Sequence, residues 1–355
     1  MKPDFTQLLM KWDKDSNTRE MPWKRERDPY RIWLSEIILQ QTRVEQGRKY
    51  YELFINEFPS IKELASAKDD KVFKMWEGLG YYTRCRNLLE TARKITTDYL
   101  GIFPSDYDQI KALKGIGPYT AAAIASFAYN LPVAVVDGNV QRIIARYFGI
   151  STPIDSGAGK KLFSDLAEAL LDREDSACYN QAIMDFGATI CKPQNPLCSV
   201  CVQQNDCEAF KHDFVSKVPV KEKALIKTNR WFYYFIIETG GKILIRQRRE
   251  KDIWQNLHEF VLLESEVSLE DHNSFYEFIQ TKFGIQNLLI THVSSLYKQH
   301  LTHQTIQGKF IEVKIAENIP LEGYIQLNRK QMAKLAFPGF INAYLKSKTS
   351  HLLHR

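Results

Sequence analysis

The sequence predicts an all-α domain followed by an α+β domain. Three observations carry this. Residues 1 to about 211 hold helix-length segments with apolar residues at helical spacing, cut by Pro or Gly at 58–60, 78–80, 103–105, 115–118 and 131–132. A loop with four cysteines, residues 191–207, closes this half. From Asn229 the texture changes to runs rich in β-branched and aromatic residues, such as RWFYYFIIET, KILIRQRR and HEFVLLES.

With 355 residues the chain is long enough to bury a core in each part. Apolar content of 44% and charged content of 25% describe a globular protein. No apolar run approaches the roughly twenty residues of a membrane span, so no membrane role is expected. The N-terminal MKPDFTQLLMKWDKD has no signal-peptide core and is not an Arg/Ser-rich transit segment. A reducing cytosol is the expected setting, with the chain as a monomer. A net charge of +6 permits polyanion binding without demanding it. All eight histidines lie at His212 or later. Acid–base chemistry in the first half must therefore come from carboxylates, lysines or tyrosines.

In chain order, a helical domain is expected over residues 1–211 and a polar, basic linker over 212–228. The α+β domain follows at 229–347, with a helix over Ser268–Phe283, a strand in HQTIQGKFIEVKIAE and a tail at 348–355. No internal repeat or low-complexity segment is present.

Within the helical part, Leu113-Lys114-Gly115-Ile116-Gly117-Pro118-Tyr119-Thr120 reads as a helix end, a tight glycine turn and a new helix. The exposed N–H groups and positive dipole end of that second helix suit a phosphate oxygen. Such a contact grips DNA without reading its sequence.

Two carboxylates stand in contrasting settings. Glu36 lies in Ile32-Trp33-Leu34-Ser35-Glu36-Ile37-Ile38-Leu39, where apolar surroundings would raise its pKa and keep it protonated near neutrality. Asp137 ends the run Val133-Ala134-Val135-Val136 and precedes a helix, a position that favours the anion. One neutral and one charged carboxyl form the acid and stabiliser pair that glycosidic cleavage uses. Each also reads as a structural residue: Glu36 as an outward-facing side chain between buried neighbours, Asp137 as a plain helix cap.

The cysteines Cys191, Cys198, Cys201 and Cys207 are spaced C-x6-C-x2-C-x5-C, with Cys85 and Cys178 the remaining two in the chain. Disulfides are disfavoured in a reducing compartment. A structural zinc site is compatible, although zinc ribbons usually pair two C-x2-C knuckles. An iron–sulfur cluster on four thiolates fits the spacing best.

This cysteine loop, together with the glycine hairpin about seventy residues upstream, resembles the helix-hairpin-helix glycosylases of the endonuclease III superfamily. Three long segments narrow the resemblance to the MutY-type adenine DNA glycosylases: Trp33 through Val44, Gly78-Leu79-Gly80-Tyr81-Tyr82-Thr83-Arg84, and Val136-Asp137-Gly138-Asn139-Val140-Gln141-Arg142. The resemblance implies one [4Fe–4S] cluster on Cys191, Cys198, Cys201 and Cys207. It implies double-stranded DNA with adenine opposite 8-oxoguanine or guanine as the partner. Glu36 would protonate N7 of the flipped adenine, Asp137 would stabilise the oxocarbenium ion, and Tyr119 would hydrogen-bond in the site. Gln41 and Tyr81, with Leu39, would wedge into the base stack, because the bond is inaccessible inside a duplex. Met21 and Trp23 would line the adenine pocket. Gln181, where some relatives carry glutamate, would hydrogen-bond the base. Gly115 and Gly117 would serve the DNA-binding hairpin.

Lyase-type relatives place a Schiff-base lysine where this chain has Tyr119, and Lys114 lies on the wrong side of the turn. Hydrolysis without efficient strand cleavage is therefore expected. The C-terminal part resembles the MutT-like (Nudix) domain of the same family, but the Glu-rich Nudix signature is absent. Its recognition loop would be Leu301-Thr302-His303, where the family usually shows Phe-Ser-His. Thr302 and His303 would face 8-oxoguanine. Two other readings compete: a pyrimidine-directed glycosylase with lyase activity, and a non-catalytic iron–sulfur DNA-binding protein.

Overall fold

The computed structural model describes residues 4–222, 227–269, 271, 273–315 and 321–353. Helices come first: α1 (Asp4–Ser16), α2 (Pro29–Leu39), α3 (Val44–Glu57), α4 (Ile61–Ser66), α5 (Asp69–Trp76), α6 (Tyr82–Asp98), α7 (Tyr107–Lys111), α8 (Pro118–Tyr129), α9 (Gly138–Phe148), α10 (Gly157–Leu170), α11 (Ser176–Thr189) and α12 (Glu208–Lys211). Strands β1 (Thr228–Thr239), β2 (Lys242–Gln247), β3 (His258–Glu259) and β4 (Val261–Ser265) precede α13 (Asn273–Phe283). Strands β5 (Leu288–Val293), β6 (Tyr297–His300), β7 (Gln304–Ile315) and β8 (Ile325–Leu327) lead to α14 (Arg329–Met332) and α15 (Gly339–Leu353). The division into a helical and an α+β part is as the sequence predicts. The run HEFVLLES splits into two short strands at Phe260, and the helix expected from Ser268 is described from Asn273. Among the described residues no helix is long and apolar enough to cross a membrane.

Contacts divide the chain into two units. One comprises Met1–Ser66 and Asn87–Ala224, the other Ala67–Arg86 and Leu225–Arg355. The segment 67–86 thus groups with the C-terminal residues, which sequence reading did not anticipate. Its bonds explain this: Glu77 accepts from the Phe337 N–H and the Asn342 amide, each at 2.9 Å, and Lys74 donates to the Leu335 carbonyl at 3.0 Å. Within 212–222, part of the expected linker, Val218 is buried in the helical core and the Val220 carbonyl accepts from Ile154 N–H. This stretch is docked rather than extended away.

In the first unit, Phe5, Leu9 and Trp12 of α1 pack against Ile143, Ile144 and Tyr147 of α9 and Tyr179 and Phe186 of α11. Helix α2 is buried on nearly every face, because its sequence is apolar all round rather than along one stripe. Asp28 caps it by accepting from Tyr30 N–H, and Pro29 opens its first turn.

The second unit is an eight-stranded mixed sheet with the path β3-β2-β1-β7-β5, β4 pairing with β1, β6 with β7 and β8 with β2. Strands β1 and β7 run parallel, from Thr228 opposite Gln304 to Glu238 opposite Lys314. Both are long and largely buried, as parallel strands require. The buried Glu259 is paired by Arg246 at 2.7 Å and Arg248 at 2.8 Å, so its charge is not left uncompensated.

Gly308 sits at the closest approach of this pair, where a Cβ would lie 1.7 Å from the Phe232 carbonyl oxygen. Gly308→Ala should therefore destabilise the second unit by about 1–3 kcal/mol through overpacking against backbone, read as a lowered urea midpoint.

Candidate active site and cysteine loop

A cavity of about 200 Å³ opens in the first unit, lined by Arg19, Met21, Trp23, Glu36, Leu39, Tyr119, Asn139 and Gln181 among others. Sequence reading named six of its fifteen lining residues: Met21, Trp23, Glu36, Leu39, Tyr119 and Gln181. Met21 and Trp23 lie in it as expected, and Trp23 is held edge-on to Tyr51 at 5.4 Å. Leu39, expected in the wedge, ends α2 half-buried and lines the cavity.

Glu36 is buried on α2. Burial pushes its carboxyl up to about 7, the Tyr119 hydrogen bond pulls down, and the charge of Asp137 adds to the rise. Tyr119 is itself held far above its ordinary value by burial and by these two carboxylates, so it stays a phenol and donates. Asp137 caps α9: its Oδ1 accepts from the Asn139 and Val140 N–H groups, each at 2.8 Å, and its Oδ2 from the Asn139 amide at 2.7 Å. Burial raises its pKa, and those bonds together with Arg142 oppose the rise. The expectation of a contrasting pair therefore needs one refinement: both carboxyls are shifted upward, but Asp137 has donors that favour the anion.

The hairpin is formed by α7, the turn through Gly115 and Gly117, and α8. Gly115 has φ +78, and a Cβ there would sit 2.7 Å from that of Asn87. Gly117 is the N-cap of α8 in extended geometry, with Pro118 at the first helical position. This leaves the first N–H groups of α8 without intrahelical partners.

Gln41 follows α2, exposed, with φ +53. In the second unit Tyr81 is 45% exposed with φ +48. Left-handed backbone is uncommon outside glycine and concentrates at functional positions. The Tyr81 hydroxyl hydrogen-bonds the Thr302 hydroxyl, within the tight turn that joins β6 to β7. His303 in that turn is exposed.

Cys191, Cys198, Cys201 and Cys207 are free, half-buried thiols on the loop between α11 and α12. Among the described residues no group of three or more His, Cys, Asp or Glu side chains forms a set that could hold a metal ion. The thiols nevertheless lie within electrostatic reach of one another. Burial, then the charges of Cys191, Cys207 and Cys198, push Cys201 up to about 12. Four mutually repelling thiols on one loop, with no histidine among them, are the donor chemistry of a thiolate-bound cationic centre, whose charge would reverse that penalty. Two buried arginines of α9 hold the loop. Arg142 donates to the Cys191 carbonyl at 2.8 Å, and Arg146 to the Lys192 carbonyl at 2.7 Å and the Cys191 sulfur at 3.4 Å.

Sequence reading missed Arg19, Asn139 and Asp185. Asn139 stood in the quoted Asp-Gly-Asn run. Asp185 had a readable signal, being the one charged residue of α11, one turn beyond Gln181.

The rise at Glu36 makes a stability prediction. Its folded value lies above the ordinary 4.5, so the folded state holds the proton better. Stability falls as pH rises from about 4.5 to about 7, and above that the full cost is present. Glu36→Gln, which removes the charge, should be more stable than the parent near pH 8, by up to about 3 kcal/mol, with no gain below about pH 4.5. Urea denaturation at the two pH values checks this.

Residues 34–168 match the HhH-GPD superfamily of base excision DNA repair proteins, and residues 233–347 match the NUDIX domain. The helical fold is similar to a solved thermostable thymine-DNA glycosylase, with TM-score 0.55 and 31% identity, covering 59% of this chain and 95% of that one. It is also similar to endonuclease III in a non-covalent DNA complex, with TM-score 0.50 and 19% identity over 59% of this chain and 94% of that one, a likeness of fold. Among curated proteins, the adenine DNA glycosylase of Buchnera aphidicola subsp. Baizongia pistaciae is 34% identical over 305 residues, 85% of this chain and 84% of its own. The human adenine DNA glycosylase is 39% identical over 214 residues, 58% of this chain and 39% of its own. The length of the first of these matches, which takes in most of both parts of the chain, makes this protein a member of the adenine DNA glycosylase family.

Proposed function

We propose that the protein is a monofunctional glycosylase that hydrolyses the N-glycosidic bond of adenine mispaired with 8-oxoguanine or guanine in double-stranded DNA. The observation that carries this is the pair of carboxyls: Glu36, its pKa raised to about 7 and hydrogen-bonded by Tyr119, with Asp137 close enough to add to that rise. Neutral Glu36 gives its proton to N7 of the extruded adenine, which makes the base a better leaving group. The C1′–N9 bond then breaks, and Asp137 faces the positive charge that develops on the sugar. Glu36, now the anion, accepts a proton from the water that adds to C1′. Tyr119 holds Glu36 in place and offers no amine for a Schiff base. Among the described residues no lysine lines the cavity, and Lys114 is paired with Glu90 at 2.6 Å. Both facts support hydrolysis over lyase chemistry.

The α8 N-terminus serves as a phosphate site, and the exposed, left-handed Gln41 and Tyr81 serve as wedges. Thr302, bonded to Tyr81, and the exposed His303 face the base opposite the adenine. Cys191, Cys198, Cys201 and Cys207 hold one [4Fe–4S] cluster. When bound, it would supply a rigid four-thiolate anchor for the loop that Arg142 and Arg146 hold beside α9.

A single-turnover assay on a duplex with one adenine opposite 8-oxoguanine tests the reading. Adenine release is expected, with strand breakage only after alkali; breakage without alkali would favour the lyase reading. Release should fall as pH rises through about 7, because Glu36 must carry its proton. Asp137→Asn should lose release by roughly a hundredfold or more while still binding the duplex. Purified protein should be brown with about four irons per chain. Colourless protein with stoichiometric zinc would sink the cluster assignment.

A further inference from the structure

Asp185, on α11, is fully buried, and its two oxygens accept three hydrogen bonds and form an ion pair with Lys24. Oδ1 accepts from Arg19 Nη1 at 2.7 Å and Gln181 Nε2 at 3.1 Å. Oδ2 accepts from Asn17 Nδ2 at 3.0 Å and lies 3.1 Å from Lys24 Nζ. A carboxylate has about four acceptor positions and nothing to donate, so this one is filled. Three of its partners, Asn17, Arg19 and Lys24, bracket the loop that carries Met21 and Trp23 into the cavity. The fourth, Gln181, lies on the cavity wall, as does Arg19.

The bond to Gln181 fixes more than position. An amide side chain can be turned end for end, and its two ends have opposite hydrogen-bonding character. Because Asp185 only accepts, the nitrogen end of Gln181 must face it, and Oε1 is the end left over. Among the described residues Oε1 has no donor. Arg19 is fixed on the same carboxylate oxygen, lines the cavity as Gln181 does, and keeps further N–H groups to donate. We infer that Asp185 is the residue that sets the polarity of the base pocket: it forces the wall to present an acceptor from Gln181 and a donor from Arg19.

This rests on the reading of the cavity as an adenine pocket, and it names how that pocket tells purines apart. A 6-amino purine offers an N–H donor to Oε1 and ring nitrogens to Arg19. A 6-oxo purine would set its carbonyl against Oε1, acceptor against acceptor, on a half-buried wall. Buried polar groups left unpaired in this way reject a substrate far more strongly than a change of shape does. Asp185 touches no substrate atom. It is a positioning residue acting through Gln181 and Arg19, and mutation to a residue that can also donate removes the constraint.

The test compares single-turnover release of adenine and of hypoxanthine, each placed opposite 8-oxoguanine in the same duplex. The variants are Asp185→Asn, whose amide can donate to Gln181 Oε1 and let it turn, and Gln181→Met, which removes the amide and leaves Asp185 intact. Duplex affinity and iron content serve as controls for folding. The parent protein is expected to favour adenine strongly. In Asp185→Asn, adenine release should fall while hypoxanthine release falls less or rises, lowering the adenine-to-hypoxanthine ratio about tenfold or more. Gln181→Met should lower the ratio as well, and it carries the test if Asp185→Asn does not fold. Equal loss on both bases, with the ratio kept, would assign Asp185 a purely structural role and overturn the inference. An unchanged ratio in Gln181→Met would overturn it too. Failure of the parent protein to release adenine would instead overturn the glycosylase reading beneath it.

Discussion

The desolvation of one carboxyl group is the constraint around which the helical unit is organised. Glu36 sits on a helix with almost no solvated face, so its charge has no water to lean on. The neighbouring groups meet that need sparingly. Tyr119 donates one hydrogen bond, and no cation is given to it; Asp137 nearby makes ionisation harder still. A structure selected only for stability would place a leucine or a glutamine there. The helix pays instead for an acid poised near neutrality, and the surrounding elements are those needed to keep it so: α8 brings Tyr119, α9 brings Asp137, and the loop after α1 closes the cavity with Met21 and Trp23.

Helix α9 links this centre to the cysteine loop by ordinary backbone chemistry. Its cap is Asp137, its first turn carries Asn139, and Arg142 bonds Asn139 at 2.8 Å on one side and the Cys191 carbonyl on the other. One turn on, Arg146 gathers the carbonyls of Lys192, Pro193 and Val215. Guanidinium groups suit this work, since five donors in a planar fork can satisfy several carbonyls that lie outside α-helix and strand. The geometry of the Asp137 carboxylate and that of the loop therefore share one helix.

Much of this was legible in the sequence. Helix periodicity and the shift to β-branched residues at Asn229 gave the two classes of structure, because burial patterns differ between a period of 3.6 and one of 2. The apolar neighbours of Glu36 announced its raised pKa, and the position of Asp137 before a helix announced its cap. Other features were hidden for physical reasons. The bonds of Asp185 join residues 168 positions apart in the case of Asn17, and no local pattern reports such a pairing. The place of Leu39 on the cavity wall depends on where α2 ends. The grouping of residues 67–86 with the C-terminal unit depends on single side chains, Lys74 and Glu77, capping backbone groups more than 250 residues away. The upward shift at Asp137 reflects how completely the folded chain covers it, and a sequence states neighbours along the chain but not cover.

That grouping has a consequence for synthesis on the ribosome. Residues 67–86 are made well before the backbone groups that Lys74 and Glu77 engage, which lie 261 and 260 residues further along the chain at Leu335 and Phe337. The parallel pairing of β1 with β7 imposes the same delay, since β1 waits for a partner about seventy residues behind it. The nascent helical unit must therefore hold an unfinished segment between Ser66 and Asn87 until those later residues have been made. A chain truncated after the cysteine loop would never complete it, so loss of the C-terminal residues would reach back into the N-terminal third of the protein.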